Sequence, residues 1–320
     1  MNSPRLLLCT LLAAACAHAG VDVKTLEDRV RIEIDGKLFT EYRHAGGPHV
    51  YFWPVIGPGG AKMTRAWPME EVPGEEHDHI HHRSLWFSHG LVNGVDFWAE
   101  AGKGTPKIPI GTIVHDKIVE AKGGADSGVL TTSQKWTAPD GTVPITSTQT
   151  LRVYARPENE RLFDFEVTLK AGDKDVVFGD TKEGTAAIRI AESMRLKGPK
   201  STPGAGKIIN SEGETDGKVW GQRAKWVDMS GPIDAKTLGI AMMDHPKNPR
   251  HPTRWHARDY GLFAANPFCE AEMDKNLPKG SGDYALKAGQ SITFRYRILI
   301  HEGDAAAAKV AERFAEFAAK

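Results

Sequence analysis

Residues 29–42 read RVRIEIDGKLFTEY, two runs of alternating apolar and polar side chains split by Asp35-Gly36. Alternation with period two puts one set of side chains on each face of a strand, and Asp-Gly between two such runs is a strong hairpin signal. The pattern recurs. Asp140-Gly141 separates TTSQKW from the run at residues 143–154, and Asn93-Gly94 separates LWFSHGLV from VDFW. Further strand-like runs lie at residues 162–169, 176–179, 186–194, 238–243 and 291–300. Helical spacing occurs only at the end, where Asp304 can cap residues 305–319 and Val310, Phe314 and Phe317 share a face. The expectation is a mostly β chain: one large antiparallel β-sandwich over residues 20–320, closed by a short C-terminal helix.

The first nineteen residues read differently. Arg5 supplies a positive start, residues 6–17 form an apolar run too short to span a bilayer, and Ala17-His18-Ala19 offers a small-x-small cleavage pattern before Gly20. A signal peptide over residues 1–19 is expected, with the mature chain periplasmic or secreted. Cys16 as a lipid-anchored start is the rival, but Ala13 stands where such sites favour leucine. With Cys9 and Cys16 in the leader, Cys269 has no disulfide partner and reads as a buried structural thiol.

Lys plus Arg (41) equals Asp plus Glu (41), so no overall field draws nucleic acid or an anionic membrane, and no later run has the length of a membrane span. The chain lacks a dinucleotide-binding GxGxxG, a phosphate-binding GxxxxGK[ST], a GxSxG elbow and an HExxH pair, so no nucleotide or flavin cofactor is expected.

Chemistry concentrates in EHDHIHHRSLWFSHG, residues 76–90, which carries five of the thirteen histidines. An extended backbone would put His77, His79 and His81 on one face with Arg83, a spacing compatible with a divalent metal. The other reading is an imidazole site beside Arg83, Trp86, Trp98 and His89. A second group, DHPKNPRHPTRWH, places Asp244, His245, Arg250, Trp255 and His256 on a proline-rich loop, where binding residues commonly sit. A third, DTKEG at residues 180–184, offers Glu183 at a strand exit as a general base. A fourth, WGQRAKW at residues 220–226, reads as an aromatic and basic strand.

Several segments together resemble an exported bacterial family called the PmoA family, or methane oxygenase PmoA-like. They are YFWPVIGPGG from Tyr51, TRAWPMEEVPGEEHDHIHHRSLWFSHGLVNGVDFW from Thr64, DTKEGTAAIRIA from Asp180, NSEGETDGKVWGQRAKWVDMSG from Asn210 and GIAMMDHPKNPRHPTRWHARDYGLFAANPF from Gly239. The resemblance implies a galactose-mutarotase-like sandwich, and by analogy with that fold a carbohydrate-active hydrolase, lyase or epimerase acting on a small-molecule or oligosaccharide ligand. His81 or His82 would be the acid–base imidazole and Glu183 or His245 its partner. Arg83 and Arg250 would hold ligand oxygens, Trp86 and Trp255 would stack on a sugar ring, and His89, Asp244 and His256 would line the same site. The alternatives are a metal-dependent enzyme using His77, His79 and His81, or a non-catalytic sugar-binding module.

Overall fold

The computed structural model describes residues 20–101, 107–198 and 202–320. The expected signal peptide, with Cys9 and Cys16, lies outside the described residues. The N-terminal strands are β1 (Val21–Thr25), β2 (Arg29–Ile34), β3 (Lys37–Arg43), β4 (Tyr51–Val55) and β5 (Leu85–His89). Four long strands follow: β6 (Thr112–Lys122), β7 (Ser127–Thr137), β8 (Ile145–Tyr154) and β9 (Glu160–Ala171). Then come β10 (Val176–Phe178), β11 (Gly184–Arg189), β12 (Lys207–Asn210), β13 (Trp226–Ile233) and β14 (Lys236–Asp244). The chain ends with β15 (Arg254–Ala257), β16 (Leu262–Asn266), β17 (Tyr284–Leu286), β18 (Ser291–Glu302) and the helix α1 (Val310–Ala318).

Two eight-stranded sheets are built from antiparallel pairs. The first has the order β1-β2-β3-β4-β5-β11-β16-β15, and the second β12-β13-β14-β18-β9-β8-β7-β6. Their inner faces meet in one apolar core, with Phe39 against Phe163 at 5.3 Å, Phe52 against Phe165 at 5.8 Å and Phe87 against Phe294 at 5.7 Å between ring centroids. Strand β8 shows the period plainly. Ile145, Ser147, Gln149, Leu151 and Val153 are buried, while Thr146, Thr148 and Arg152 are exposed.

The Asp35-Gly36 hairpin forms as expected, with both residues at positive φ. The helix starts later than expected. Lys309 takes a left-handed conformation (φ 53°) just before Val310, and Asp304 instead accepts the N–H of Ala307 in a preceding turn. Phe317 and Val310 then close a second apolar cluster on the outer side of the second sheet, with Trp226, Met243 and Leu299. The segment at residues 220–226 is not a strand: a 3-10 turn (Asp216–Val219) precedes it, and β13 begins only at Trp226. Among the described residues no helix is long and apolar enough to cross a membrane.

The outer face of the first sheet positions the site. In β5, Leu85 and Phe87 point into the core while Trp86 and Ser88 face outward, and β11, β16 and β15 alternate likewise. Register then lines up Trp86, Ala187, Ala264 and His256 across four strands. The two small residues in the middle leave room for the rings of Trp86, Trp98 and Tyr260 to lie on the sheet.

Candidate functional site

The loop between β4 and β5 folds onto this outer face because two fully buried arginines hold it there. Arg65 donates to the Asp78 carboxylate and to the carbonyls of Trp67, Glu76, Asp78 and His79. Arg189, the last residue of β11, donates to the same Asp78 oxygen at 2.9 Å. Neither arginine side chain is exposed to solvent. Burial raises the Asp78 pKa, but the hydrogen bond from His79 and the charges of Arg189 and Arg65 outweigh it and hold the carboxyl well below its usual range.

This packing makes residues 77–83 a turn, which corrects the extended reading. His79 has φ 43°, and the N–H groups of His82 and Arg83 bond the carbonyls of His79 and His81. The three alternating histidines consequently part company. His77 stacks on Trp67 at 3.9 Å, His79 stacks on His82 and Tyr260, and His81 meets Trp98 and His82 edge-on. Among the described residues no three His, Cys, Asp or Glu side chains are placed to hold a metal ion.

A cavity of about 480 Å³ opens above this layer, lined by His79, His81, His82, Asp96, Trp98, Ala99, Lys182, Glu183, His256, Arg258 and Tyr260. That volume is in the range of small-ligand sites. A larger one of about 670 Å³, where the turns around residues 93, 140 and 173 meet, mixes valine, proline and alanine with Asp140, Asp173, Lys174 and Asp175. It contains no histidine, and no aromatic ring lines it.

Hydrogen bonds fix the tautomers of the two most buried histidines of the site. His82 is sandwiched between Trp86 and His79, at 5.4 and 4.6 Å. Its Nδ1 lies 3.2 Å from Nη1 of Arg189, which can only donate, so Nδ1 accepts and the proton sits on Nε2. That Nε2–H is buried and has no partner among the described residues. His256 is the reverse. Its Nδ1 lies 2.8 Å from the Lys182 carbonyl, which can only accept, so Nδ1 carries the proton and Nε2 keeps its lone pair. Burial, reinforced for His82 by His81 and Arg189, keeps both imidazoles neutral, His256 down to about 3 and His82 well below the ordinary histidine value. One donor and one acceptor therefore border the same cavity.

The carboxylates are Glu183 and Asp96. Glu183 follows the loop that Asn266 ties through the Thr181 carbonyl, and its Oε1 lies 2.9 Å from Nζ of Lys182. Burial lowers the Lys182 pKa, but the charge and hydrogen bond of Glu183 prevail and raise it. Asp96 Oδ1 accepts the N–H groups of Trp98 and Ala99, while burial and the negative charge of Glu183 raise its pKa. Tyr260 is pushed up to about 12 by burial and stays a hydroxyl.

Of the residues singled out from sequence, His79, His81, His82, Trp98, Glu183 and His256 line this cavity together, and Trp86 lies directly beneath His82. The others do not line it. Arg83 is engaged bidentately by Glu100, at 2.6 and 2.7 Å. His89 faces the core against Phe178 and Phe268 and bonds the Gly179 carbonyl. Asp244 organises its own loop, accepting from Asn248, His251 and the Thr253 N–H. His245, adjacent to the end of β14 in the opposite sheet, packs on Phe317 of α1 at 4.8 Å. Arg250 donates to the carbonyls of Pro267, Gly282 and Asp283. Trp255 is an inward residue of β15 and belongs to the core. Cys269 is buried, its thiol pushed up to about 12.

Sequence reasoning did not single out Asp96, Lys182, Arg189, Arg258 or Tyr260. A signal existed for Arg258: it shares strand parity with Arg254 and His256, four and two residues back.

Comparisons with known proteins give distant likenesses. A glycoside hydrolase family 97 enzyme from Pseudoalteromonas sp. strain K8, solved with acarbose, is 11% identical, with a TM-score of 0.34 over 89% of this chain. This chain spans only 35% of that enzyme's length. A galactose mutarotase related enzyme from Lactobacillus acidophilus is 9% identical with a TM-score of 0.31, covering 88% of this chain and 97% of that one. A GalM/aldose epimerase homologue from C. elegans is 8% identical with a TM-score of 0.32, covering 89% and 99%. At these scores the likenesses carry no weight for activity. No protein of curated function matches the chain. A family model does match it over residues 29–315, and the chain belongs to that family, DUF6807, a family of unknown function.

Proposed function

We propose that the chain is a carbohydrate-active enzyme whose site is the cavity between His82 and His256. The supporting observation is the pair of neutral imidazoles with opposite tautomers, one donor and one acceptor, beside two carboxylates and a layer of aromatic rings. A hydroxyl-rich ligand needs donors and acceptors alternating around its rim, and its apolar face suits an indole or phenol ring. In this reading Glu183 is the general base. Asp96, whose pKa is raised, is the group able to hold a proton for a leaving or migrating oxygen. His82 acts as a fixed neutral donor to a ligand oxygen, because Arg189 occupies the nitrogen through which it could otherwise take a proton. The reaction class is hydrolysis, elimination or epimerisation.

The test is proton NMR of a panel of glycosides and free sugars incubated with purified protein, followed by kinetics on whichever is turned over. Glu183→Gln is expected to lower kcat by about 10²–10⁴-fold, the usual contribution of a general base. Turnover by that variant close to wild type removes Glu183 from the mechanism. A panel left entirely unchanged by the wild type sinks the enzyme reading.

The proposal includes export, with residues 1–19 as a cleaved signal peptide and the mature chain periplasmic or secreted. N-terminal sequencing of protein from the envelope or medium is expected to begin Gly20-Val21-Asp22. An intact Met1, or a lipidated start at Cys16, would overturn it.

A further inference from the structure

Arg258 differs from the other arginines around the site. Arg65 and Arg189 are engaged by Asp78, Arg195 by Glu76 and Glu192, and Arg223 and Arg254 by Glu270. The Arg258 guanidinium has no hydrogen bond or ion pair with any described residue. It lies over two rings instead, 4.8 Å from the Trp220 centroid and 5.4 Å from that of Tyr260, on the wall of the cavity. Contact with aromatic faces restrains a planar guanidinium without using its N–H groups, so its donors remain available.

The other charges on the cavity wall are already engaged. Lys182 is shared by Glu183 at 2.9 Å and Glu272 at 3.7 Å, and Asp96 accepts two backbone N–H groups. The buried and unpartnered Nε2–H of His82 borders the same space. An unpaired fork on one wall and a neutral donor on another call for an anionic group and an uncharged oxygen in one ligand.

We infer that the ligand is an acidic sugar: Arg258 takes its carboxylate through two parallel N–H bonds while His82 and His256 read its hydroxyls. This rests on the carbohydrate reading above and narrows it to uronic acids and related sugar carboxylates. A planar carboxylate matches the guanidinium fork, and a charge-assisted bidentate pair is roughly twice as strong as a neutral hydrogen bond.

The discriminating experiment is calorimetric titration of the full chain with glucuronate, galacturonate and mannuronate, each against its own methyl ester. The ester keeps the shape and removes the charge. At least one acid is expected to bind about tenfold or more tightly than its ester, an advantage that weakens with salt. Arg258→Gln is expected to erase that acid-to-ester ratio, and Arg258→Lys to restore part of it, since it keeps the charge and loses the fork. His82→Gln is expected to weaken acid and ester alike. Equal binding of acid and ester by the wild type, or a ratio unchanged in Arg258→Gln, overturns the acidic-sugar inference and leaves a neutral-sugar site standing. If no acid and no ester binds, the sugar reading falls and this inference with it.

Discussion

Asp78→Asn is expected to cost the protein about 3–5 kcal/mol of stability, the range found when one partner of a buried ion pair is removed. Asp78 is the shared anion of Arg65 and Arg189, both enclosed completely. Burial already pulls the Arg65 guanidinium down to about 10, with the charge of Arg189 adding to the effect, and lowers Arg189 as well. Asparagine keeps the shape and one acceptor oxygen, so the substitution leaves two buried cations facing each other with their common counter-charge gone. Glu192 cannot replace it: it lies 3.9 Å from Arg189 and is bound to Arg195. Urea denaturation should show a lower midpoint with an unchanged slope. A loss below about 0.5 kcal/mol, the range of ordinary surface changes, would show that backbone carbonyls alone hold the two arginines.

A steep loss of stability between pH 6.5 and 4 is the second large effect. His49, His82, His89 and His256 are all buried and all lowered from 6.5: His49 and His89 to about 4, His256 to about 3, and His82 well below its ordinary value. Burial is the leading cause in each. In this window the unfolded chain binds protons that the folded chain excludes, so stability falls as the pH falls. Each fully buried histidine contributes up to about 1.4 kcal/mol per pH unit. His81 is lowered to about 3 but is only partly enclosed, and adds less. Asp78 acts in a lower range. Its depressed pKa adds stability that is complete above the unfolded aspartate value and is lost only as the pH falls through its folded one. Calorimetric unfolding at pH 5.5, in buffers of different ionisation enthalpy, should register uptake of about three to four protons. Uptake of fewer than one would mean that these imidazoles are already charged in the folded state.

Much of the architecture was legible because period two and Asp-Gly turns are local signals. The Asp35-Gly36 hairpin and the long strands β7, β8 and β9 follow them closely. The helix start was not, because the left-handed Lys309 delays it by several residues. The site was half legible. His79, His81, His82, Glu183 and His256 were found as chemically dense residues, yet His245 and His256 lie eleven positions apart, one just past β14 of the second sheet and the other in β15 of the first, which no single-sequence pattern reveals. Arg83 and Arg250 lie outside this cavity for a related reason: a guanidinium looks the same in sequence whether it meets a ligand or the chain's own carboxylate and carbonyls.

The row Trp86, Ala187, Ala264, His256 has a consequence for how such a protein can diversify. Its neighbours in each strand, among them Phe87, Ile188 and Phe263, face the opposite way, into the core. A substitution in the row therefore alters the floor beneath Trp98 and Tyr260 without touching the surface on which the two sheets rest against each other. In the proposed reading, ligand preference and folding are carried by interleaved residues of the same strands, and each can drift while the other is held constant.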